Sequence, residues 1–282
     1  MRVLITGAGG QVGHELVETF IADGHEVHGF DHASLDITDR DAVMAAVVGI
    51  HPDAIVHPAA WTAVDACESD PDRAFLVNAL ATRFIVEAAR IVDAPVHYVS
   101  TDYVFDGTKS TPYLEWDDTA PASIYGASKL AGERELGPNS SIIRTSWVCG
   151  YHGGNMVRTI LRIAAENDTL SFVDDQRGHP TFADDLASMI KRIVVERRTG
   201  TFHVTNQGAV SWFEFAQAVL IASGADPARV LPVATADLQP PRPAPRPANS
   251  VLDNAALRLS GIPLLDDFRT PLQRLVDRIL AD

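Results

Sequence analysis

Three glycines, a tyrosine and a lysine carry the first chemistry in this chain. Thr6-Gly7-Ala8-Gly9-Gly10-Gln11-Val12-Gly13 places glycines at 7, 10 and 13 directly after the apolar run Arg2–Thr6. That spacing permits a tight turn at Gly7, close approach of backbone to a pyrophosphate at Gly10, and helix-on-strand packing at Gly13. With a strand before it and a helix after it, the turn predicts a dinucleotide site whose phosphates meet free amides and the positive end of a helix dipole. Asp31 follows Gly29-Phe30 at the end of the next apolar run, where a carboxylate accepts hydrogen bonds from the adenosine ribose and repels a 2′-phosphate. Asp31 therefore leans toward NADH, while His32 offsets the repulsion and keeps NADPH open.

Tyr125 and Lys129 stand four apart, which puts phenol and ammonium on one helical face. A free phenol, with a pKa of about 10, is poorly matched to proton transfer at neutral pH; lowering it by about three units takes roughly 4 kcal/mol, which a nearby cation helps supply. Lys129 is accordingly expected to depress the pKa of Tyr125. Ser100-Thr101, at the end of another apolar run, adds a hydroxyl beside them.

The elements needed to position these groups follow from the apolar pattern. Strands are expected at Arg2–Thr6, Glu26–Phe30, Ala54–His57, Val96–Ser100 and Ser141–Arg144, alternating with helices at Gln11–Ala22, Asp39–Val48, Pro71–Val92 and Tyr125–Leu136. That alternation is an α/β fold, a Rossmann-like doubly wound parallel sheet. Beyond residue 145 the pattern loosens, with helices at Asn155–Glu166, Ala183–Val195, Trp212–Ser223 and Thr270–Leu280 and a strand at Thr201–Val204. The division expected is a dinucleotide-binding domain over 1–148, joined by parts of 168–200 and 201–225, and a smaller mixed α/β substrate domain, mainly 149–282, interleaved with it. Five prolines between Gln239 and Pro247 make an extended loop laid over the body of the protein, because too little chain follows for an independent core.

Further strings carry a resemblance. Ser100-Thr101-Asp102-Tyr103-Val104-Phe105-Asp106-Gly107, Tyr125-Gly126-Ala127-Ser128-Lys129-Leu130-Ala131-Gly132-Glu133, Arg144-Thr145-Ser146-Trp147-Val148, Asp175-Gln176-Arg177-Gly178-His179-Pro180-Thr181 and Arg246-Pro247-Ala248-Asn249-Ser250 occur in this order. Together with the glycine turn they resemble the extended short-chain dehydrogenase/reductase superfamily and, within it, the dTDP-4-dehydrorhamnose reductase branch. The resemblance implies hydride transfer from NADPH or NADH to the 4-keto carbon of a dTDP-linked 6-deoxyhexose. Tyr125 would donate the proton, Lys129 would also hold the nicotinamide ribose, and Thr101 would bind the substrate oxygen. It implies cofactor contacts at Gly7, Gly10, Gln11, Val12, Gly13, Asp31, Asp36, Ala59, Ala60, Tyr125 and Lys129. His57-Pro58 stands where the branch carries Asn-x before Ala-Ala, and Asn78 matches a supporting Asn on the following helix. Substrate contacts are implied at Val104, Trp147, Asn155, Gln176, Thr181, Arg246 and Asn249, with Arg246 preferred for the diphosphate because a guanidinium grips phosphate oxygens bidentately. Some members form a homodimer around magnesium held by glutamates. Glu15 matches one ligand position, but Asp184-Asp185 stand where glutamate is expected and no third ligand is in view, so no metal is assigned.

Composition bounds the alternatives. With 23 Lys+Arg against 37 Asp+Glu, the formal charge of −14 argues against a nucleic-acid backbone binder. Cys67 and Cys149 match no metal or redox spacing. No stretch approaches the roughly 18 apolar residues of a membrane span, so a soluble cytoplasmic protein is expected. A 4,6-dehydratase would carry an Asp-Glu pair after the threonine, where this chain has Asp102-Tyr103. A 4-epimerase would hold its nicotinamide permanently. A 4-ketoreductase for another nucleotide-linked deoxysugar shares every motif. A non-catalytic homologue, resembling the regulatory subunit of methionine adenosyltransferase, need not keep Thr101, Tyr125 and Lys129.

Overall fold

A computed structural model describes residues 1–281. The chain runs β1 (Arg2–Thr6), α1 (Gln11–Ala22), β2 (Glu26–Phe30), α2 (Arg40–Ile50), β3 (Ala54–His57), α3 (Val64–Ser69), α4 (Pro71–Phe75), a π-helical turn (Leu76–Leu80), α5 (Ala81–Ile91), β4 (Val96–Thr101), α6 (Ile124–Glu133) and β5 (Ser141–Thr145). It continues with β6 (Val148–Cys149), α7 (Met156–Glu166), β7 (Leu170–Val173), β8 (Arg177–Gly178), β9 (Thr181–Phe182), α8 (Ala183–Val195), β10 (Gly200–His203), β11 (Val210–Ser211), α9 (Trp212–Ala222), β12 (Val230–Val233), α10 (Ala255–Leu259) and α11 (Arg269–Ala281).

Six strands form the main sheet in the order β10-β5-β4-β3-β1-β2, every pair parallel. Because side chains alternate along a strand, Val3 and Ile5 enter a core with α1 and α8, while Leu4 enters one with α2 and α5. The order reverses between β1 and β3, so a crevice opens beyond their carboxyl ends, the usual ligand position in such sheets. The chain leaves this sheet after β5 and returns to it: α8 packs on α1, and β10 pairs with β5. A second core gathers Val157 and Ile160 of α7, Phe215 and Val219 of α9, Leu272 of α11 and Phe268. Beside it β7 and β12 pair in parallel, strands the apolar pattern does not disclose.

The helix expected over Pro71–Val92 is present and continuous through Ile91, with a π turn inserted in its middle. Asp70 caps α4 by accepting from the Arg73 amide at 3.1 Å, and the π turn adds a residue before α5 begins. Such π bulges concentrate at functional sites. No helix among the described residues is long and apolar enough to cross a membrane.

Candidate active site

The sheet's carboxyl edge carries a cleft of about 990 Å³ whose walls include the glycine turn, Asp31, Ala59, Thr101, Tyr125 and Lys129. At the turn, Gly7 has φ +61, and a Cβ there would lie 2.9 Å from the Ala59 Cα. A Cβ on Gly13 would fall 2.0 Å from the Gly7 carbonyl, so no side chain fits where helix meets strand. The amide of Gly10 donates to the Gly7 carbonyl at 2.9 Å, and no side chain caps α1. Its first-turn amides face the cleft unneutralised by any acidic residue in that turn, which suits a pyrophosphate.

The segment after β3 is braced from beneath. His57, fully buried, shares hydrogen bonds with Thr6 Oγ1 (2.6 Å) and Thr82 Oγ1 (3.2 Å), tying the end of β1 to β3 and α5. Burial and the Lys129 charge pull its pKa down to about 3, so the imidazole stays neutral. Asn78, on the π turn, accepts from the Trp61 amide at 2.8 Å and donates to the Trp61 carbonyl and to Ser128 Oγ. The π turn thus aims one side chain at both the cofactor-side loop and α6. Asp31 lies at the cleft mouth with Oδ1 accepting from the Ala33 and Ser34 amides and the Ser34 hydroxyl; these bonds, the hydroxyl foremost, hold its carboxyl below the usual range. Asp36, also at the mouth, accepts from the amide and hydroxyl of Thr38.

Ser123 caps α6 through the Gly126 amide, and Gly126 presses against the turn after β4, where a Cβ would meet the Tyr103 carbonyl at 2.1 Å. That contact seats Tyr125 beside Thr101 and Asp102. Thr101 Oγ1 donates to Asp102 Oδ1 at 2.9 Å and also bonds with the Tyr125 hydroxyl. Lys129 donates to the Val99 carbonyl at 2.7 Å and sits 3.9 Å over the Tyr98 ring. Burial lowers its pKa to about 7, against the pull of Glu133.

The expected depression of Tyr125 by Lys129 is corrected here. The ammonium is engaged by Val99 and Tyr98, and the Tyr125 pKa is raised, by burial first and by the Asp102 and Tyr103 charges, with only the Thr101 bond acting downward. A phenol held this way keeps its proton at neutral pH. Asp102 itself is pushed up to about 6 by burial, against hydrogen bonds from Ser250 and Thr101. Its titration gives a signed prediction. As pH rises through about 6, Asp102 ionises and raises the cost of forming tyrosinate, so proton donation by Tyr125 should slow above that pH. A kcat–pH profile should show this descending limb, and Asp102→Asn should flatten it.

The far wall joins the two halves of the chain. Trp147, at φ +45, stacks on Trp212 with ring centroids 3.6 Å apart, and Gly178 leaves room for it, since a Cβ there would meet the indole at 2.7 Å.

Residues 1–281 match the family model described as the RmlD substrate binding domain. Relatives cover nearly the whole chain: a "dTDP-4-dehydrorhamnose reductase" of Streptomyces griseus is 41% identical over 96% of this chain and 91% of its own. The chain belongs to the dTDP-4-dehydrorhamnose reductase family. A "probable dTDP-4,6-dihydroxy-2-methyloxan-3-one 4-ketoreductase" of Streptomyces antibioticus is 42% identical, covering 100% of this chain and 96% of its own. The crystal structure of the Bacillus anthracis dTDP-4-dehydrorhamnose reductase in complex with NADP superposes with a TM-score of 0.94 at 39% identity, covering 98% of this chain and 99% of that one.

In this reductase-family chain the cleft gathers every cofactor-side residue the sequence singles out, with Thr101 and Trp147, but few of the substrate-side ones. Val104 is a correction: it is fully buried with Phe105, Tyr113, Leu130 and Leu252, in the core rather than on the sugar site. Asn155, Gln176, Thr181 and Asn249 also lie off the cleft walls. Asn155 caps α7 through the Arg158 amide and donates to Gly150; Gln176 donates to Thr235; Thr181 is buried in β9; Asn249 ties its loop to the Lys109 and Thr111 carbonyls. Arg246 is not free either: both terminal nitrogens reach Asp65, at 3.0 and 2.9 Å. Its charge nonetheless acts on the pKa of Tyr103, a residue of the cleft wall. The sequence alone does not single out Trp212 or Trp61 with Arg73 over its ring at 4.5 Å, all on the cleft wall. The available signal for Trp212 is an aromatic side chain at the head of a helix, directly after the capping residue Ser211.

Proposed function

We propose that this chain reduces dTDP-4-dehydro-L-rhamnose to dTDP-L-rhamnose with NADH or NADPH. The observation that carries the proposal is the meeting of Thr101, Tyr125 and Lys129 on one wall of a cleft whose other end is the open helix N-terminus after Gly10. The tight glycine turn, where a Cβ at Gly7 or Gly13 would collide with backbone of Ala59 or Gly7, fits a dinucleotide. When bound, the reduced nicotinamide supplies hydride to the keto carbon. Tyr125 donates its proton to the oxygen as negative charge develops there, and Thr101 steadies that oxygen with its hydroxyl. Lys129, held at Val99, keeps its amine on the same wall, where it can hold the nicotinamide ribose. The Trp147–Trp212 stack offers the apolar wall for the sugar or base.

The decisive experiment follows reduced-nicotinamide absorbance with the keto-sugar and each cofactor, then identifies the product by chromatography. Oxidation of cofactor and co-elution with dTDP-L-rhamnose are expected, with kcat/KM higher for NADH because Asp31 repels a 2′-phosphate. No oxidation would overturn the activity, and a large NADPH advantage would overturn the role of Asp31. The similarity to the Streptomyces antibioticus 4-ketoreductase favours a second reading, reduction of another dTDP-linked keto-deoxysugar, which the same assay resolves by substrate panel.

Arg246 is proposed to exchange Asp65 for the substrate diphosphate. Arg246→Ala should then raise the KM for the sugar nucleotide by about tenfold or more with kcat little changed, the loss of charge-assisted hydrogen bonds. An unchanged KM would place the diphosphate elsewhere.

A further inference from the structure

Behind the glycine turn, α1 turns a second set of side chains toward the loop that follows β6. His14 and Glu18 stand one helical turn apart on α1, and His152 reaches them from that loop; one donor atom from each lies within 4.8 Å of the others. The two imidazoles stack with centroids 4.0 Å apart and planes 9° apart. His152 Nε2 is buried with no hydrogen-bond partner. An imidazole nitrogen in that position has lost water without gaining a replacement, an arrangement that needs an explanation.

We propose that His14, Glu18 and His152 bind a divalent transition-metal ion of the zinc class, which staples the cofactor-binding helix to the Gly150–Asn155 loop. Two imidazole nitrogens and one carboxylate oxygen form a donor set that zinc accepts, with a position left for water. Zinc–nitrogen bonds of about 2.0–2.1 Å place tetrahedral donors about 3.3 Å apart. Drawing the present donors together takes rotation of the side chains, the imidazoles tilting out of their stack so that their lone pairs converge. His14 and Glu18 are exposed and free to make that movement. The surrounding charge is mixed. Glu15 and Asp184 add negative potential, and Arg158 and Arg278 oppose it. Magnesium is disfavoured, since it selects oxygen ligands and only one carboxylate is in this set.

The location gives the ion a structural consequence. Gln11, on the cleft wall, already clamps the same loop: its Oε1 accepts from the Gly150 amide at 2.8 Å and its Nε2 donates to the Gly154 carbonyl at 3.3 Å. A metal one turn further along α1 would reinforce that clamp from the solvent side.

The test is calorimetric titration of the untagged full chain with zinc chloride and, separately, magnesium chloride. One zinc per chain with micromolar affinity is expected, falling at least about tenfold in His14→Ala and in His152→Ala but holding in His25→Ala, whose imidazole lies off the site. Cobalt(II) should give the intense visible absorption of a low-coordinate nitrogen-containing site in the unsubstituted protein, a readout that needs no variant. Zinc should also raise the melting temperature of the unsubstituted chain and not that of His152→Ala. Absence of stoichiometric zinc binding, retention of affinity in both variants, or magnesium binding that depends on His152 would each overturn the proposal.

Discussion

Tyr125→Phe should lower turnover by about 10²–10⁴-fold, the usual contribution of a positioned proton donor, while cofactor affinity stays close to that of the unsubstituted chain. The ring remains, so the packing against Tyr103, with centroids 5.6 Å apart, and against Cys67 and Ala74 is preserved. Only the hydroxyl that bonds with Thr101 is lost. Hydride transfer would then build an alkoxide with no acid beside it. Steady-state kcat with the keto-sugar and a fluorescence titration of NADH check the two halves of the expectation. Near-normal turnover would remove Tyr125 from the proposed mechanism. Lys129 is a less clean probe, because its buried ammonium also holds the Val99 carbonyl and substitution would disturb β4.

Glu133→Ala should be strongly destabilising. Glu133, at the end of α6, is gripped by Arg144 of β5 at 2.9 and 2.7 Å and by the Ser100 hydroxyl of β4 at 2.5 Å. The two charged side chains are 4% and 7% exposed, so removing the carboxylate strands a guanidinium in the interior. Breaking a buried pair in this way costs about 3–5 kcal/mol, on the order of a 10 °C fall in melting temperature for a chain of this size. Joint replacement by apolar residues, Glu133→Leu with Arg144→Met, should recover most of the loss, since neither charge is then left unpaired. Calorimetry on the single and double variants distinguishes this from a simple cavity effect, in which the double variant would be no better. Glu133 also favours the protonated form of Lys129, so a folded Glu133→Gln chain should hold that amine more fully neutral at pH 7.

What the sequence discloses, and what it hides, follows the range of the forces involved. The glycine turn is legible because its requirements are local: Gly7 needs a positive φ, and Gly13 has no space for a Cβ. The ends of β1, β2, β3 and α1 are likewise marked by short apolar runs and the turn residues around them. The π turn at Leu76–Leu80 is not marked, because one added residue barely disturbs a helical apolar pattern. Spacing places Tyr125 and Lys129 on one face but says nothing of Val99 and Tyr98, which β4 brings in and which engage the ammonium. The substrate-side motifs show the same limit. Gln176 and Asn249 occupy recognisable strings, yet their polar atoms, like those of Asn155, hold loops together instead of lining the cleft. Trp212 meets Trp147 only through the docking of α9, a contact no local pattern reports.

The return of the chain to its first sheet has a consequence for synthesis. A nascent polypeptide emerging from its N-terminus exposes the open edge of β5, and the α1 face without α8, until β10 has followed them out. Vectorial production therefore yields no finished main sheet when the first half of the chain is complete. The nascent chain must pass through a stage in which an unpaired parallel edge is open to chaperones, proteases and neighbouring nascent chains.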